Sequence, residues 1–235
     1  MGRRNAGVKF YRLVLITSAA LILTATIAHL LAGRRGLAFA DAIFLVAVVI
    51  VYLVLRYPKR LIFRLSVALL GGTCLAVPIL AFHAAVMPSH LLLSIAGAIS
   101  SSALLGSVTL AMLLGHWYLV VRGMAIDPLA RLTVVALGAM ILKLLVVGSS
   151  IGLLVPEGLE RGTDLHRLLF REGIFFWMRV GWGLLAPPAL YPMIRGTVKL
   201  HSTMAATGIL YVAVVAVVIG EVLGGYLSML IRLPL

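Results

Sequence analysis

The sequence predicts an all-α, polytopic membrane bundle of seven transmembrane helices, with the N-terminus inside and the C-terminus outside. Three observations predict it. Of the 235 residues, 63% are hydrophobic and 11% charged, whereas a soluble domain carries roughly half apolar and a quarter charged residues. Mean hydropathy is +1.16. Apolar stretches long enough to span a bilayer follow one another to the C-terminus, and none alternates with period two. Backbone polar groups find no partners in lipid, so these runs must be helices rather than strands of a barrel.

The expected spans, in order, are Tyr11 to Leu31, Leu37 to Leu55, Leu65 to Val86, Leu91 to Val121, Leu132 to Leu154, Ile174 to Ile194 and Leu200 to Ile231, in a single membrane domain over 1–235. The first follows Arg3, Arg4, Lys9 and Arg12 like a secretion signal. Its apolar run exceeds the usual signal core, and Arg34 and Arg35 precede the small-residue triplet Ala38 to Ala40, so it reads as a retained helix. The fourth and seventh are longer than a bilayer needs, which implies tilt, a kink or a projecting end. In the sixth, Pro187, Pro188 and Pro192 require a kink or break near the middle.

Orientation follows from the basic residues of the links. With the N-terminus inside, twelve lie on that side: Arg3, Arg4, Lys9, Arg12, Arg56, Lys59, Arg60, Arg64, Arg122, Arg131, Arg195 and Lys199. Six lie opposite: Arg34, Arg35, Arg161, Arg167, Arg171 and Arg232. That bias predicts the N-in, C-out orientation, and the expected location is the cytoplasmic (inner) membrane. A net charge of +13 placed in such links faces lipid headgroups, not nucleic acid.

Short links leave no room for a soluble catalytic domain, and no phosphate-binding glycine loop or HExxH pattern is present. Cys74 is the only cysteine, which excludes a disulfide framework, thiolate metal sites and covalent haem attachment. The longest link, Val155 to Gly173, holds Glu157, Glu160, Asp164 and Glu172, with a short surface helix expected from Thr163 to Phe170. It reads either as a solvated cap or as a docking surface for an extracytoplasmic subunit.

Four charges fall inside the spans: Asp41, Lys143, Arg179 and Glu221. Each costs at least ~2.5 kcal/mol near a helix centre, so each is expected to face the interior and pair. At ~1.5 Å per residue, Lys143 matches Glu221 in depth, and Arg179 matches Asp41 or Glu221. They read either as ion bridges fixing helix register or as proton-handling groups, with Glu221 and Lys143 the candidate catalytic pair.

Histidines form the second set. His29 and His83 match in depth near the outer side, and His116 and His201 near the inner side, whereas His90 and His166 fall in links. Two imidazoles at one depth on different helices suit axial ligation of b-type haem, one or two in number. Ser102, Gly106 and Thr109 leave a small-residue face beside His116, which equally suits plain helix packing. Arg179, flanked by Trp177 and Trp182, could hold a haem propionate or contact a quinone, or pair with a carboxylate while the tryptophans anchor the interface.

These features lead to three expectations. The first is an electron-transfer subunit, haem-binding or quinone-reactive, in a larger respiratory or redox complex. The others are a non-catalytic anchor or assembly subunit, and a small-solute or ion transporter.

Overall fold

The computed structural model describes residues 8–54, 91–121, 124–161, 170 and 173–231. Regular structure among them is helical: α1 (Val8–Leu31), α2 (Arg35–Val54), α3 (Leu91–Val120), α4 (Asp127–Arg161), α5 (Gly173–Met178), a π-helical segment (Arg179–Leu185), α6 (Ala186–Lys199) and α7 (Thr203–Ile231). Five helices are long and apolar enough to cross a membrane, over Lys9–Leu31, Arg35–Val54, Leu92–Val120, Asp127–Gly152 and Thr203–Leu230. The expected third span, with His83, lies outside the described residues, as do His90 and His166.

The side-chain distribution is that of a multi-pass membrane protein. Leu21, Leu145 and Val222 are about two-thirds exposed (67%, 66% and 66%), while Lys143 and Arg179 are buried to 1%. Apolar groups outside and charges inside reverse the arrangement that water imposes.

The chain divides into two compact units, Met1–Ala81 and Phe82–Leu235. In the first, α1 and α2 form an antiparallel hairpin around Leu15, Ile22, Val48 and Val51. Its turn is a Schellman cap: Arg34 N–H donates to His29 O at 2.8 Å and Gly33 N–H to Leu30 O at 3.0 Å. Gly33 takes φ 71°, a left-handed conformation that costs glycine nothing.

In the second unit, α7 packs on α3, α6 and the π-helical segment, and α4 packs on α3 and α6. Ala206, Leu210, Ala213, Val217, Gly220, Gly224 and Leu227 recur at steps of three and four along the buried side of α7. Small residues there let backbones approach. Gly115 of α3 faces Thr207, whose Oγ1 would lie 2.8 Å from a Cβ at that glycine. The tightest contact joins Gly183 to Gly220. A Cβ on Gly183 would stand 2.6 Å from the Gly220 Cα, and one on Gly220 would stand 2.3 Å from the Gly183 Cα.

Three boundaries differ from the sequence expectation for identifiable reasons. α4 begins at Asp127, not Leu132, because an acid followed by Pro128 suits a helix N-terminus. At its other end it continues to Arg161, so the first part of the expected 155–173 link is helix; the surface helix expected from Thr163 lies outside the described residues except for Phe170. α7 begins at Thr203 because Leu200 to Ser202 form a second Schellman turn, with Ser202 N–H on Thr197 O at 3.0 Å and His201 N–H on Val198 O at 3.1 Å.

The prolines of the sixth span produce no break. The chain stays helical from residue 173 to 199 and absorbs the irregularity as π turns just before Pro187 and Pro188. Neither proline has an N–H to offer the carbonyl four residues earlier. The Ala186 N–H instead donates to Gly181 O, five residues back, which is the π pattern.

Alanine at Gly183 or Gly220 is expected to lower stability in detergent by about 1–3 kcal/mol through overpacking. Alanine at Gly208, with open space around it, should leave stability equal or higher, since alanine is the better helix former. Equal thermal melting of the G220A and G208A proteins would contradict the tight crossing.

Candidate functional site

Three ionisable side chains meet inside the second unit. α7 carries Glu221, the π-helical segment Arg179, and α4 Lys143. The Arg179 Nη2 donates to Glu221 Oε1 at 3.1 Å, and Lys143 Nζ stands 3.5 Å from Oε2. Each carboxylate oxygen therefore faces its own cation. Lys143 also donates to Ser101 Oγ of α3 at 2.8 Å. Four segments thus contribute one polar group each to a single network.

Helical spacing explains why these groups face inward. Ala136, Ala139, Met140, Val147 and Ser150 are buried on the same side of α4 as Lys143. A long aliphatic stem against such a face carries its ammonium to the carboxylate without meeting lipid. Arg179 reaches Glu221 through the space left by two missing side chains. Its Nη1 would stand 2.7 Å from a Cβ on Gly183 and 2.9 Å from one on Gly220. The glycine crossing therefore does two things: it brings the backbones together and leaves a passage for the guanidinium.

Beside the cluster, Leu104, Met140, Lys143, Gly183, Leu184, Pro187 and Pro188 line a tight crevice with no room for a water molecule. Lys143 is its one charged wall residue. Trp177 and Trp182 lie on the other side of their helix, 60% and 50% exposed, while Arg179 is buried. The structure therefore does not gather the two tryptophans around the guanidinium. They face outward, as aromatic residues do at a membrane interface.

The histidines find other partners. His29 Nδ1–H donates to Asp41 Oδ2 at 2.7 Å across the α1–α2 hairpin, with Asp41 buried. Depth matching offers Asp41 or Glu221 as the partner of Arg179 and overlooks this pair. The readable signal was the Gly33 turn, which folds positions 29 and 41 back to one level. His116 is exposed and meets the Tyr211 hydroxyl of α7 at 3.3 Å through Nδ1, with the rings edge to face. His201 is exposed in the turn before α7, its Nδ1 on the Lys199 carbonyl at 3.1 Å.

His201 occupies the C′ position of its Schellman turn with φ 55°, where glycine is the usual residue. Its ring bond to Lys199 accounts for a histidine there. His116 and His201 thus each carry a protein contact on Nδ1. Gly106, expected to leave space beside His116, is exposed with nothing within 4 Å of its Cβ position. Among the described residues, no group of three or more His, Cys, Asp or Glu side chains could hold a metal ion.

No family model matches the chain, and no curated protein or solved structure matches it.

Removing the shared carboxylate should cost more than removing either cation. E221Q strips Arg179 and Lys143 of their common counter-charge and is expected to destabilise the fold by about 3–5 kcal/mol. K143M keeps the Arg179–Glu221 pair and a stem of similar length, so its loss should be clearly smaller. Unfolding in mixed micelles measures both, and a K143M loss equal to that of E221Q would disprove the shared-carboxylate arrangement. H201G should unfold at the same denaturant level as the parent or higher, by up to ~1 kcal/mol, because glycine relieves the left-handed strain.

Proposed function

We propose that the protein is a membrane-embedded, quinone-reactive electron-transfer subunit of a redox complex, in which Lys143 meets the quinone and Glu221 handles the accompanying proton. The observation that carries this reading is the convergence of Ser101, Lys143, Arg179 and Glu221 from four segments inside an apolar bundle. Intramembrane ionisable groups are costly and rarely kept without a task. The π-helical segment beside them adds support, since such turns recur at functional sites. The crevice at Lys143 has apolar walls and one donor, the lining a lipid-soluble carbonyl compound needs, and a ring would enter it only by parting the helices.

Seven spans, N-in and C-out in the cytoplasmic membrane, complete the reading. Its support is the two-to-one excess of basic residues in the links on the N-terminal side. Partner subunits would supply the other redox centres.

A b-type haem would take His29 as one of its ligands. In its favour, Asp41 fixes His29 through Nδ1 and leaves Nε2 as the ligating nitrogen, the arrangement in which a carboxylate orients a metal-bound imidazole. His83 enters by sequence depth alone. When bound, haem supplies one-electron chemistry, and the chain supplies ligands and their orientation.

A second reading, ion or small-solute transport, draws on the same three charges beside an irregular helix, as in carriers whose sites lie at interrupted helices. Titration of the purified protein with a short-chain quinone, read by tryptophan fluorescence, separates the two. Binding should weaken about tenfold in K143M, the value of one charge-assisted hydrogen bond. Failure of the parent protein to bind quinone, together with proton flux in liposomes that E221Q abolishes, would replace this reading with transport. A reduced-minus-oxidised spectrum tests the haem separately: an α band lost in H29A supports it, and a colourless preparation refutes it.

A further inference from the structure

The α1–α2 hairpin carries a groove that the redox reading does not use. Leu15, Ile16 and Ala19 of α1 and Val48, Val49 and Tyr52 of α2 line about 130 Å3 of apolar space. Its walls hold no polar surface, and it extends along the helices from Tyr52 towards Ala19 and Val48. At the Tyr52 end stands Arg12, one turn before Leu15 and Ile16. The Arg12 guanidinium carbon lies 5.9 Å from the centroid of the Tyr52 ring. Arg12 Nε is buried without a hydrogen-bond partner. Lys9, three residues earlier on the same face, is exposed.

We infer that this groove is a binding site for one anionic phospholipid, with an acyl chain along the groove and the phosphate at Arg12 and Lys9. Charge and geometry agree on this occupant. The cations sit at the helix ends, where headgroups lie, and the apolar groove leads from them towards the middle of the helices, where chains lie. A zwitterionic lipid would fill the groove equally well but gain less from two adjacent cations. A guanidinium held over an aromatic ring is already oriented to donate its terminal N–H groups to a phosphate oxygen.

Native mass spectrometry of the full chain, released from detergent in the presence of phosphatidylglycerol and phosphatidylcholine with identical chains, tests the site. The parent protein should retain one phosphatidylglycerol in preference to phosphatidylcholine by about fivefold for each engaged cation. R12Q should lose most of that preference, and A19F, which fills the groove, should lower retention of both lipids. Equal retention of the two lipids by the parent, or an unchanged preference in R12Q, would overturn the inference. Displacement by soluble glycerol phosphate would overturn it in favour of a headgroup-only phosphate site. A dimer whose formation excludes lipid would assign the groove to a second copy of the chain. R12Q changes a residue at the helix end, so its folding is checked independently by its melting temperature.

Discussion

A single carboxylate, Glu221, sets the constraints under which the second unit is built. An ionised group in an apolar interior must be paired, and breaking a buried pair is far costlier than never forming it. Glu221 is paired on both oxygens, by Arg179 at 3.1 Å and Lys143 at 3.5 Å. That requirement fixes three segments relative to one another more sharply than apolar contacts do. Leucine against leucine tolerates a slip of a residue, especially where lipid is as apolar as the partner helix. A carboxylate between two cations does not.

The other irregular features follow from bringing those charges together. Arg179 lies on the helix that also carries Pro187 and Pro188, and the π turns from 179 to 185 change which residues face α7. Gly183 and Gly220 then meet backbone to backbone, with the guanidinium passing beside them. Proline, glycine and arginine in this stretch belong to one arrangement: the prolines remove hydrogen-bond donors, the π turns answer that loss, and the glycines admit the side chain. The same logic in simpler form governs α1 and α2, where the Gly33 turn folds His29 onto Asp41.

Much of this was legible in the sequence because the bilayer restricts the choices. Long apolar runs can only be helices, and a charge inside one must find a partner at its own depth; counting residues matches Lys143 to Glu221 and Arg179 to Asp41 or Glu221, and the fold takes the second alternative. Counting along separate helices does not reveal local connections, and for that reason the His29–Asp41 pair was missed. Nor does it show which way a ring turns. His201 was placed in a helix, whereas a left-handed turn needed a residue at that position, and its imidazole satisfies a carbonyl two residues away. Trp177 and Trp182 neighbour Arg179 in sequence, yet helical geometry sends them outward as it turns Arg179 in. Ser101 gave no signal at all, since a serine facing another helix cannot be told from its neighbours Ser100 and Ser102 without the fold.

The two cations at Glu221 are not equivalent. Arg179 lies against Gly183 and Gly220, where a side chain on either glycine would collide with its guanidinium. Arginine in such a position keeps its charge and its planar geometry, which suits it to hold the carboxylate in place. Lys143 instead lines the crevice, carries a flexible stem, and shares its ammonium between Glu221 and the Ser101 hydroxyl. In the proposed reading this divides the work: Arg179 keeps Glu221 fixed, and Lys143 is the group that can turn to a ligand carbonyl while the carboxylate stays in place.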